Sequence, residues 1–432
     1  MATLKIKNFG PIEENRDFDG NLIDNGCFTI RIAPVSVFIG SQASGKSTVA
    51  KLYSLFAWLE KRLKRDSLSI GSTPDIFKNL CVQQEIAEYF HNDTYISYQG
   101  NGYVFEYDEE KHSFTKEETN NLSENYVLPK VQYVSAARNL LTILYKISFD
   151  KIVSEEGNTL DLSSTIPYMV RELNTEYLRA LDKFGNEGFH LPIEGTSVFF
   201  NNHKTYIKTK DKGISMSSAS SGIQSIAPLL MVSSFLSSEV KKDLFEKLKS
   251  VSSRIKNCIE KVLSEMENKE LSAKFNLYYV GGKEILGKDR DVSQLEEILN
   301  QFIPSCFINI VEEPEQNLFP ETQADVLYEL LEYKNANANN KLVISTHSPY
   351  ILTALNNAIL ARDVFDKTGK TLDELPENRM IAPENVSAYK FENGRIISII
   401  DEESRLIDAS QIDDCSTKIN EVFDKLMDLS DE

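Results

Sequence analysis

The sequence predicts an α/β fold in which a mixed β-sheet is interrupted by helical insertions. Three short apolar runs carry this prediction, because each has the length and composition of a buried strand. They are Val35–Ile39, Phe307–Val311 and Leu342–Ile344. Each run ends in polar residues, and the first is followed by a glycine-rich turn and a helical pattern.

Composition limits the class of protein. The 432 residues include 65 Asp and Glu against 47 Lys and Arg, which gives a formal net charge of −18. An acidic chain is a poor bulk ligand for nucleic acid, because phosphate neutralisation requires Lys and Arg. Basic segments occur at 61–65 and among the lysines of 241–261, where solvated helix faces are the simpler interpretation.

Nothing in the sequence indicates secretion or a membrane. No apolar run approaches the roughly 20 residues of a membrane span, and the N-terminus lacks a basic-then-apolar signal pattern. The five cysteines are scattered and none forms a CxxC pair, which argues against a disulfide framework or a zinc site. We therefore expect a cytoplasmic protein with no membrane partner. The cysteines are Cys27, Cys81, Cys258, Cys306 and Cys415.

The turn after the first strand is a full match to GxxxxGK[ST], and a helix with one apolar stripe follows it. In such a loop the glycines let several N–H groups face one anion, and the helix N-terminus adds partial positive charge. Lys46 would contact the β- and γ-phosphates of ATP, and Ser47 would ligate Mg²⁺. The predicted nucleotide-binding residues here are Gly40, Ser41, Gln42, Ala43, Ser44, Gly45, Lys46, Ser47 and Thr48.

The second strand ends in two adjacent carboxylates, Glu312 and Glu313. Neighbouring residues on a strand point to opposite sides, so the two side chains can have different roles. We predict that Glu312 holds Mg²⁺, directly or through water, and that Glu313 polarises the attacking water.

The third strand leads into Ser345-Thr346-His347. A histidine at the end of a buried strand can donate to a γ-phosphate, although a lone histidine is more often structural. Because a phosphate loop and a glutamate pair end the other two strands, we predict a catalytic role for His347.

These three elements, in this order, resemble the ATP-binding-cassette (ABC) class of ATPases. That class also carries a Ser-Ser-Gly-x-Gln signature at a helix start, and "SSGIQ" at 220–224 fits it. The resemblance implies that two heads pack head-to-tail around two ATP molecules. Ser220, Ser221, Gly222 and Gln224 would then contact the γ-phosphate held by the other protomer. The fold expected is thus an ABC-type P-loop ATPase head.

Within that class, "VEEPEQNLFP" and "STHSPYIL" resemble the OLD/RecF-like branch rather than the transporters. "VQYVSAARNLL" is similar to a further element of that branch, which places Arg138 near the nucleotide. The nearest resemblance is to the ATPase subunits of anti-phage systems such as PARIS and Septu. OLD proteins typically append a Toprim nuclease, but its acidic pattern does not follow His347, so we expect any effector to be a separate protein.

The expected organisation is a single split ATPase. Its core comprises 1–65, 129–150, 196–240 and 300–380. We predict a mixed insertion over 66–128, a helical segment over 151–195 and a helical insertion over 241–299. In the last, Leu244, Leu248, Val251, Ile255, Cys258 and Val262 indicate a long helix or half of a short hairpin. Its length favours packing on the head over a coiled-coil dimer. The remainder, 381–432, reads as a hairpin turned at Asn393-Gly394 and a closing helix.

Two functions remain open at this level. The favoured one is an ATP-hydrolysing switch that assembles with a second copy of itself and regulates a separate effector, such as a nuclease, in anti-phage defence. The alternative is a RecF-like DNA-binding repair ATPase, supported by the basic segments at 61–65 and 241–261. An ATP-binding subunit of a membrane transporter is disfavoured by "EEPE" and "STHSPY".

Overall fold

The computed structural model describes most of the chain. The described residues are 1–66, 71, 73–119, 126–144, 152–153, 159–160, 166–201, 204–209, 212–248, 251, 253–266, 269–281 and 293–408. Its strands are β1 Ala2–Phe9, β2 Phe28–Ile32, β3 Val35–Gly40, β4 Phe90–Gln99, β5 Tyr103–Asp108, β6 Ser113–Glu118, β7 Pro129–Val134, β8 Ile152–Val153, β9 Thr159–Leu160, β10 Phe189–His190, β11 Thr196–Asn201, β12 Lys204–Thr209, β13 Lys212–Ser215, β14 Cys306–Glu312, β15 Lys341–Thr346, β16 Val386–Glu392 and β17 Arg395–Ser398.

The helices alternate with these strands. They are α1 Lys46–Asp66, α2 Pro74–Gln83, α3 Leu141–Leu144, α4 Tyr168–Phe184, α5 Ser221–Lys241, α6 Leu244–Leu248, α7 Ser253–Glu265, α8 Lys269–Gly281, α9 Ser293–Asn300, α10 Pro320–Asn335 and α11 Pro349–Thr368.

A six-stranded sheet in the order β17-β16-β3-β15-β14-β7 forms the centre of the fold. The pairings from β16 through β7 are parallel, and β17 closes the edge as an antiparallel hairpin partner. The three strands predicted from apolar runs are therefore neighbours, and their carboxyl ends lie at one edge. This mixed sheet, with the phosphate loop between β3 and α1, confirms the predicted α/β fold class.

The sheet separates two apolar cores, because successive side chains on a strand point to opposite faces. Val35, Val37 and Ile39 of β3 face the core that contains α4, α5, α10 and α11. Phe38 faces the other core, where α1 packs between the central sheet and a second sheet. α1 is thereby fixed from both sides, and so is the loop from which it begins.

The second sheet is antiparallel, in the order β2-β1-β4-β5-β6. Its strands β4–β6 come from the segment 66–128, which was expected to be an insertion. Instead β4 pairs along β1, from Thr3 opposite Gln99 to Phe9 opposite Phe90. The difference from the expectation is physical: a stack of aromatic rings, including Phe56 of α1 on Tyr98 and Phe105, joins this segment to the core.

The segment 241–299 is helical as expected, but it is neither one long helix nor a simple hairpin. It is divided into α6, α7, α8 and α9, which surround a small core of their own. The chain reverses so that Leu271 and Phe275 of α8 pack with Ile259 and Leu263 of α7. One straight helix cannot enclose a core of this kind. The apolar stripe predicted from the sequence therefore packs against α8 and α9.

The other expected elements are present where the chain is described. The segment 151–195 contains α4, and the strands leading to the signature form the sheet β10-β11-β12-β13. The hairpin turns at Asn393 and Gly394, both with positive φ. The closing helix predicted after 415 lies outside the described residues.

Helix α5 is long and apolar. Its 21 residues contain an 18-residue window with a mean hydropathy of 1.3, enough in length and composition to cross a membrane. However, 72% of the apolar window is buried inside the protein, against α4, α10 and β14. α5 is thus the central helix of one core, and its first turn carries the signature residues.

Candidate nucleotide-binding site

The phosphate loop lies where the sequence places it, between β3 and α1. Gly40 has a φ of 151°, and a Cβ at this position would lie 2.1 Å from the carbonyl oxygen of Phe391. Only glycine allows β3 to leave the sheet beside β16 in this way. Ala43 and Gly45 also have positive φ, so the loop curls around its own N–H groups.

The loop has the features of an anion cradle. The Nζ of Lys46 donates to the carbonyl oxygens of Gly40 and Ser41, at 2.8 and 2.7 Å. Burial lowers the pKa of Lys46 to about 8, although Glu313 and Glu315 act in the opposite direction. The Oγ of Ser44 is buried and has no hydrogen-bond partner among the described residues. The Lys46 ammonium could pair with a phosphate group and the Ser44 hydroxyl could donate a hydrogen bond to it, so the loop suits a phosphate.

A cleft of about 560 Å³ opens from this loop. Its lining includes the loop residues from Gln42 to Thr48, with Glu313, Ser345 and His347 at the strand ends. The structure therefore brings together Lys46, Glu313 and His347, which the sequence predicted as catalytic. Ser47 is exposed and lies in the same lining, where its hydroxyl can reach a metal bound to a phosphate.

The rest of the cleft lining was not predicted from the sequence. It consists of Gly10, Pro11, Glu88, Tyr89 and His91. Gly10 donates its N–H to the carbonyl oxygen of Tyr89, which fixes the β1 end against the segment before β4. Pro11 lies close to the loop, because its Cγ would be 3.4 Å from a Cβ on Gly45. An aromatic ring and polar groups in this lining suit a nucleobase.

Glu313 is held in an unusual conformation. Its φ is 45°, a left-handed value that is strained for a glutamate. Its N–H donates to the carbonyl oxygen of Ser345 at 2.7 Å, and its carboxylate lies 3.6 Å from the Nε2 of His347. The His347 side chain beside it lowers the pKa of Glu313, so the carboxylate is ionised at neutral pH and can accept a proton.

Glu312 points away from the cleft. Its carboxylate accepts hydrogen bonds from the hydroxyl of Tyr133, at 2.6 Å, and from the N–H of Ala136, at 3.1 Å. The opposite directions of Glu312 and Glu313 agree with the alternation expected of a strand. With both oxygens engaged, Glu312 reaches a metal in the cleft only through water or after releasing Tyr133. Its assignment to Mg²⁺ stays a prediction.

Glu315 was not predicted as a site residue, although it lies two residues after Glu313. One carboxylate oxygen accepts the N–H of His347 at 2.7 Å, which positions the histidine backbone. Its other oxygen is buried and has no partner among the described residues. Burial raises the pKa of Glu315, which favours a protonated carboxyl.

Arg138 lies behind the cleft rather than in it. Its guanidinium is fully buried and donates to the carbonyl oxygens of Glu312 and Glu313, at 2.6 and 2.7 Å. It also donates to the carbonyl oxygen of Ser225 in α5, at 3.1 Å. Arg138 therefore ties the Glu-Glu strand end to the signature helix, and in this arrangement it does not face the nucleotide cleft.

The signature residues lie outside the cleft lining. Ser220 caps α5 by accepting the N–H of Ile223, and both Ser220 and Ser221 are exposed. The Nε2 of Gln224 donates to the carbonyl oxygens of Met216 and Ala219, so this side chain braces its own loop. The two serines at the helix start are thus open to solvent and are not part of the cleft that their own phosphate loop lines.

Comparison with solved structures finds similarity to protein heads of one kind. Three solved structures are heads of SMC proteins: one bound to the C-winged helix domain of ScpA, one from Thermotoga maritima, and one from Pyrococcus furiosus with an extended coiled coil and the C-terminal domain of ScpA. Their sequence identities to this chain are 8%, 9% and 10%, with TM-scores of 0.36, 0.33 and 0.37. They cover 93%, 92% and 92% of this chain, and 98%, 97% and 96% of their own. No family model and no curated protein matches the sequence.

Proposed function

We propose that this chain is an ABC-type, OLD-like ATPase that works as a nucleotide-driven assembly switch. One observation carries the proposal. Lys46, Glu313 and His347 line a single cleft, whereas Ser220 and Ser221 at the start of α5 are exposed and are not in that lining. The phosphate-binding and hydrolytic groups are thus complete in one copy, and the signature is available to another.

ATP binding begins with the phosphate loop. The ammonium of Lys46, now on the carbonyls of Gly40 and Ser41, would turn to the β- and γ-phosphates, and the hydroxyl of Ser44 would gain an acceptor. Mg²⁺, when bound, neutralises charge between these phosphates, and Ser47 is the residue whose position suits it. The nucleobase would lie toward Tyr89 and His91.

Hydrolysis would be carried by the pair at the strand ends. Glu313 accepts a proton from the attacking water, whose oxygen bonds to the γ-phosphorus as the bond to the β–γ bridging oxygen breaks. His347 donates to a γ-phosphate oxygen and stabilises the charge that develops there. The strained backbone of Glu313, held by Arg138 and Ser345, keeps the carboxylate aimed at the cleft.

Assembly follows from the position of the signature. Two copies packed head-to-tail would place Ser221 and the N–H of Gly222 of one copy against the γ-phosphate bound by the other. The switch would consist of closing this sandwich on ATP and opening it on hydrolysis. The resemblance to OLD-like defence ATPases supports a separate effector, such as a nuclease, as the protein that the switch controls.

The decisive experiment compares two variants of the full chain. Lys46→Ala removes the phosphate cation and should abolish both ATP binding and turnover. Glu313→Gln should lower ATP turnover by at least about 100-fold while leaving ATP binding intact, because only the proton acceptor is lost. We expect Glu313→Gln to accumulate an ATP-dependent dimer, measured by light scattering after size exclusion.

The matched control is Glu321→Gln, an exposed position in the first turn of α10. It makes the same chemical change away from the cleft and should retain wild-type turnover. Unchanged turnover in both Lys46→Ala and Glu313→Gln would remove the ATPase assignment. A Glu313→Gln variant that binds ATP but stays monomeric would remove the assembly switch alone.

A further inference from the structure

The carboxylate predicted to hold Mg²⁺, Glu312, lies on the same face of the central sheet as α1. Ile308 and Ile310 of β14 face the core that contains α1, and side chains alternate along a strand, so Glu312 faces α1 as well. Ser345, its partner in register on β15, belongs to the cleft lining. β14 is the second strand from β3, so about 10 Å separates the ends of these two strands. Glu312 is thus one strand away from the cleft, on the side of the sheet where α1 begins.

The side chain of Glu312 is nevertheless engaged in the opposite direction, by Tyr133 of β7. Tyr133 is opposite Ile310 in register and faces the same core. Its hydroxyl donates to Oε1 of Glu312 at 2.6 Å, and both side chains are buried. A buried hydrogen bond to a carboxylate is stronger than one between neutral groups. This bond holds the carboxylate toward β7, whereas β15 and β3, which carry the cleft, lie on the other side of β14.

The chain that follows Tyr133 holds Glu312 at two further atoms. The N–H of Ala136 donates to Oε2 at 3.1 Å, so both carboxylate oxygens are engaged. The buried guanidinium of Arg138 donates to the carbonyl oxygen of Glu312 at 2.6 Å and to that of Glu313 at 2.7 Å. Because Arg138 fixes the backbone, Glu312 can enter the cleft only by turning its own side chain, and that movement breaks the bond to Tyr133.

Coordination of a metal and the hydrogen bond from Tyr133 therefore compete for the same carboxylate. Mg²⁺ requires a near-octahedral set of oxygen ligands. Glu312 is not among the described residues that line the cleft, so in its present position it is not part of such a set. When it turns toward the cleft, the buried hydroxyl of Tyr133 loses its acceptor, and this loss costs free energy. That cost reduces the affinity of the site for the metal.

We propose that Tyr133 is a latch that holds Glu312 in a resting position and weakens Mg²⁺ binding until their hydrogen bond is broken. Tyr133 is a positioning residue, since it acts through Glu312. The proposal rests on the ATP and Mg²⁺ site proposed above and adds regulation to it. It gives that site a resting state in which the phosphate loop can hold ATP while the metal carboxylate is still disengaged.

The test is isothermal titration of the full chain with a non-hydrolysable ATP analogue, once with Mg²⁺ and once with EDTA. The Kd in EDTA divided by the Kd with Mg²⁺ measures what the metal contributes to binding. We expect Tyr133→Phe to increase this ratio by about tenfold, because the ring stays and only the competing hydroxyl is lost. The Kd in EDTA should stay within about twofold, since no metal then draws on Glu312.

Ala136→Pro is a second variant with the same purpose. It removes the N–H that donates to Oε2 of Glu312, and proline suits the first position of a helical turn. Ser135 before it already has the extended conformation that a following proline requires, with φ −71° and ψ 161°. We expect the ratio to rise by about threefold, and circular dichroism at the titration temperature checks that each variant is folded.

Two controls separate the latch from a general effect. Tyr333→Phe removes another hydroxyl that donates to a glutamate, Glu329 of α10 at 2.8 Å, and should leave the ratio unchanged. In a Glu312→Gln background, Tyr133→Phe should change the ratio by less than about twofold. This double-mutant cycle isolates the contact between the hydroxyl and the carboxylate.

An unchanged ratio in Tyr133→Phe would overturn the latch. A lower ratio would overturn it as well, because Tyr133 would then support metal binding. An equal increase in Tyr333→Phe, or a full increase in the Glu312→Gln background, would assign the effect to something other than this contact. All of these results leave the nucleotide site itself in place. If the wild-type chain binds no analogue with or without Mg²⁺, the proposed function fails, and the latch fails with it.

Discussion

Arg138 is the residue that most directly determines the conformation of the candidate general base. Its guanidinium holds the carbonyl oxygens of Glu312 and Glu313 and reaches Ser225 in the signature helix. A left-handed φ at Glu313 persists only when its surroundings fix it. Sequence similarity indicated that Arg138 belongs to this region. It did not indicate where the side chain points, and in the structure the guanidinium contacts backbone carbonyl oxygens.

We expect Arg138→Lys to lower the turnover number by about 100-fold, since a lysine has no planar fork to hold two successive carbonyls and Glu313 would shift. The KM for ATP should stay within about twofold, because the phosphate loop is untouched. Steady-state ATPase kinetics separate the two constants. Arg379→Lys, in the ion pairs with Glu329 and Glu332 on α10, is the control for general loss of stability. A rise in KM with unchanged turnover would show that Arg138 contacts the nucleotide after all.

Lys46 leads to a pH-dependent prediction. Its pKa is lowered to about 8 by burial, so above that pH the free protein holds a neutral amine in the loop. Bound phosphates favour the ammonium, and ATP binding above about pH 8 must therefore take up a proton. The apparent Kd for ATP should rise by up to about tenfold per pH unit above pH 8.

Titration calorimetry in two buffers of different protonation enthalpy measures the proton uptake on ATP binding. Lys46→Arg, which stays charged, should abolish this proton uptake. A Kd for ATP that does not change between pH 7 and pH 9.5 would contradict the prediction.

An element could be predicted from the sequence when the residues that indicate it lie close together along the chain. The phosphate loop, the Glu-Glu strand end and the strand-end His347 each show in a window of a dozen residues, and parallel pairing of β3, β15 and β14 brings them to one edge. The pairing of β4 with β1 joins residues that are 81 (Phe9 and Phe90) to 96 (Thr3 and Gln99) positions apart, so a short sequence window cannot contain both. The same limit concealed the contribution of Tyr89 and His91 to the cleft lining.

The signature helix α5 shows how packing fixes what a motif only suggests. A Cβ on Gly222 would lie 2.6 Å from the carbonyl oxygen of Asn317, in the loop that follows the Glu-Glu strand. Glycine therefore lets the helix start approach this loop, and Ser225 of the next turn bonds Gln316. The motif predicted a role for Gly222 toward a neighbouring molecule, and the structure adds a role within its own chain.

At the scale of the whole molecule, α1 and α5 give the fold a direction. Both helices begin on the side of the strand ends, at Lys46 and Ser221, and Arg65 and Val240 near their other ends line one cavity. One core helix from each side of the central sheet thus runs from the side of the strand ends toward that cavity.

The head-to-tail assembly itself is testable by mixing two inactive proteins. Lys46→Ala removes the phosphate loop's cation, and Ser221→Ala removes an exposed signature hydroxyl, so neither homodimer should hydrolyse ATP at a normal rate. In a mixed dimer one composite site carries both defects and the other carries neither, because each site combines the loop of one copy with the signature of the other. Random mixing in equal amounts makes about half of the dimers mixed, which should restore about a quarter of wild-type turnover. The comparison is with each variant alone at the same total concentration. Mixing Lys46→Ala with Glu313→Gln is the control: both residues belong to the cleft of one copy, so each site of a mixed dimer carries one defect and both sites stay inactive. If mixed dimers form on size exclusion but turnover does not recover, Ser221 does not act on the ATP of its partner.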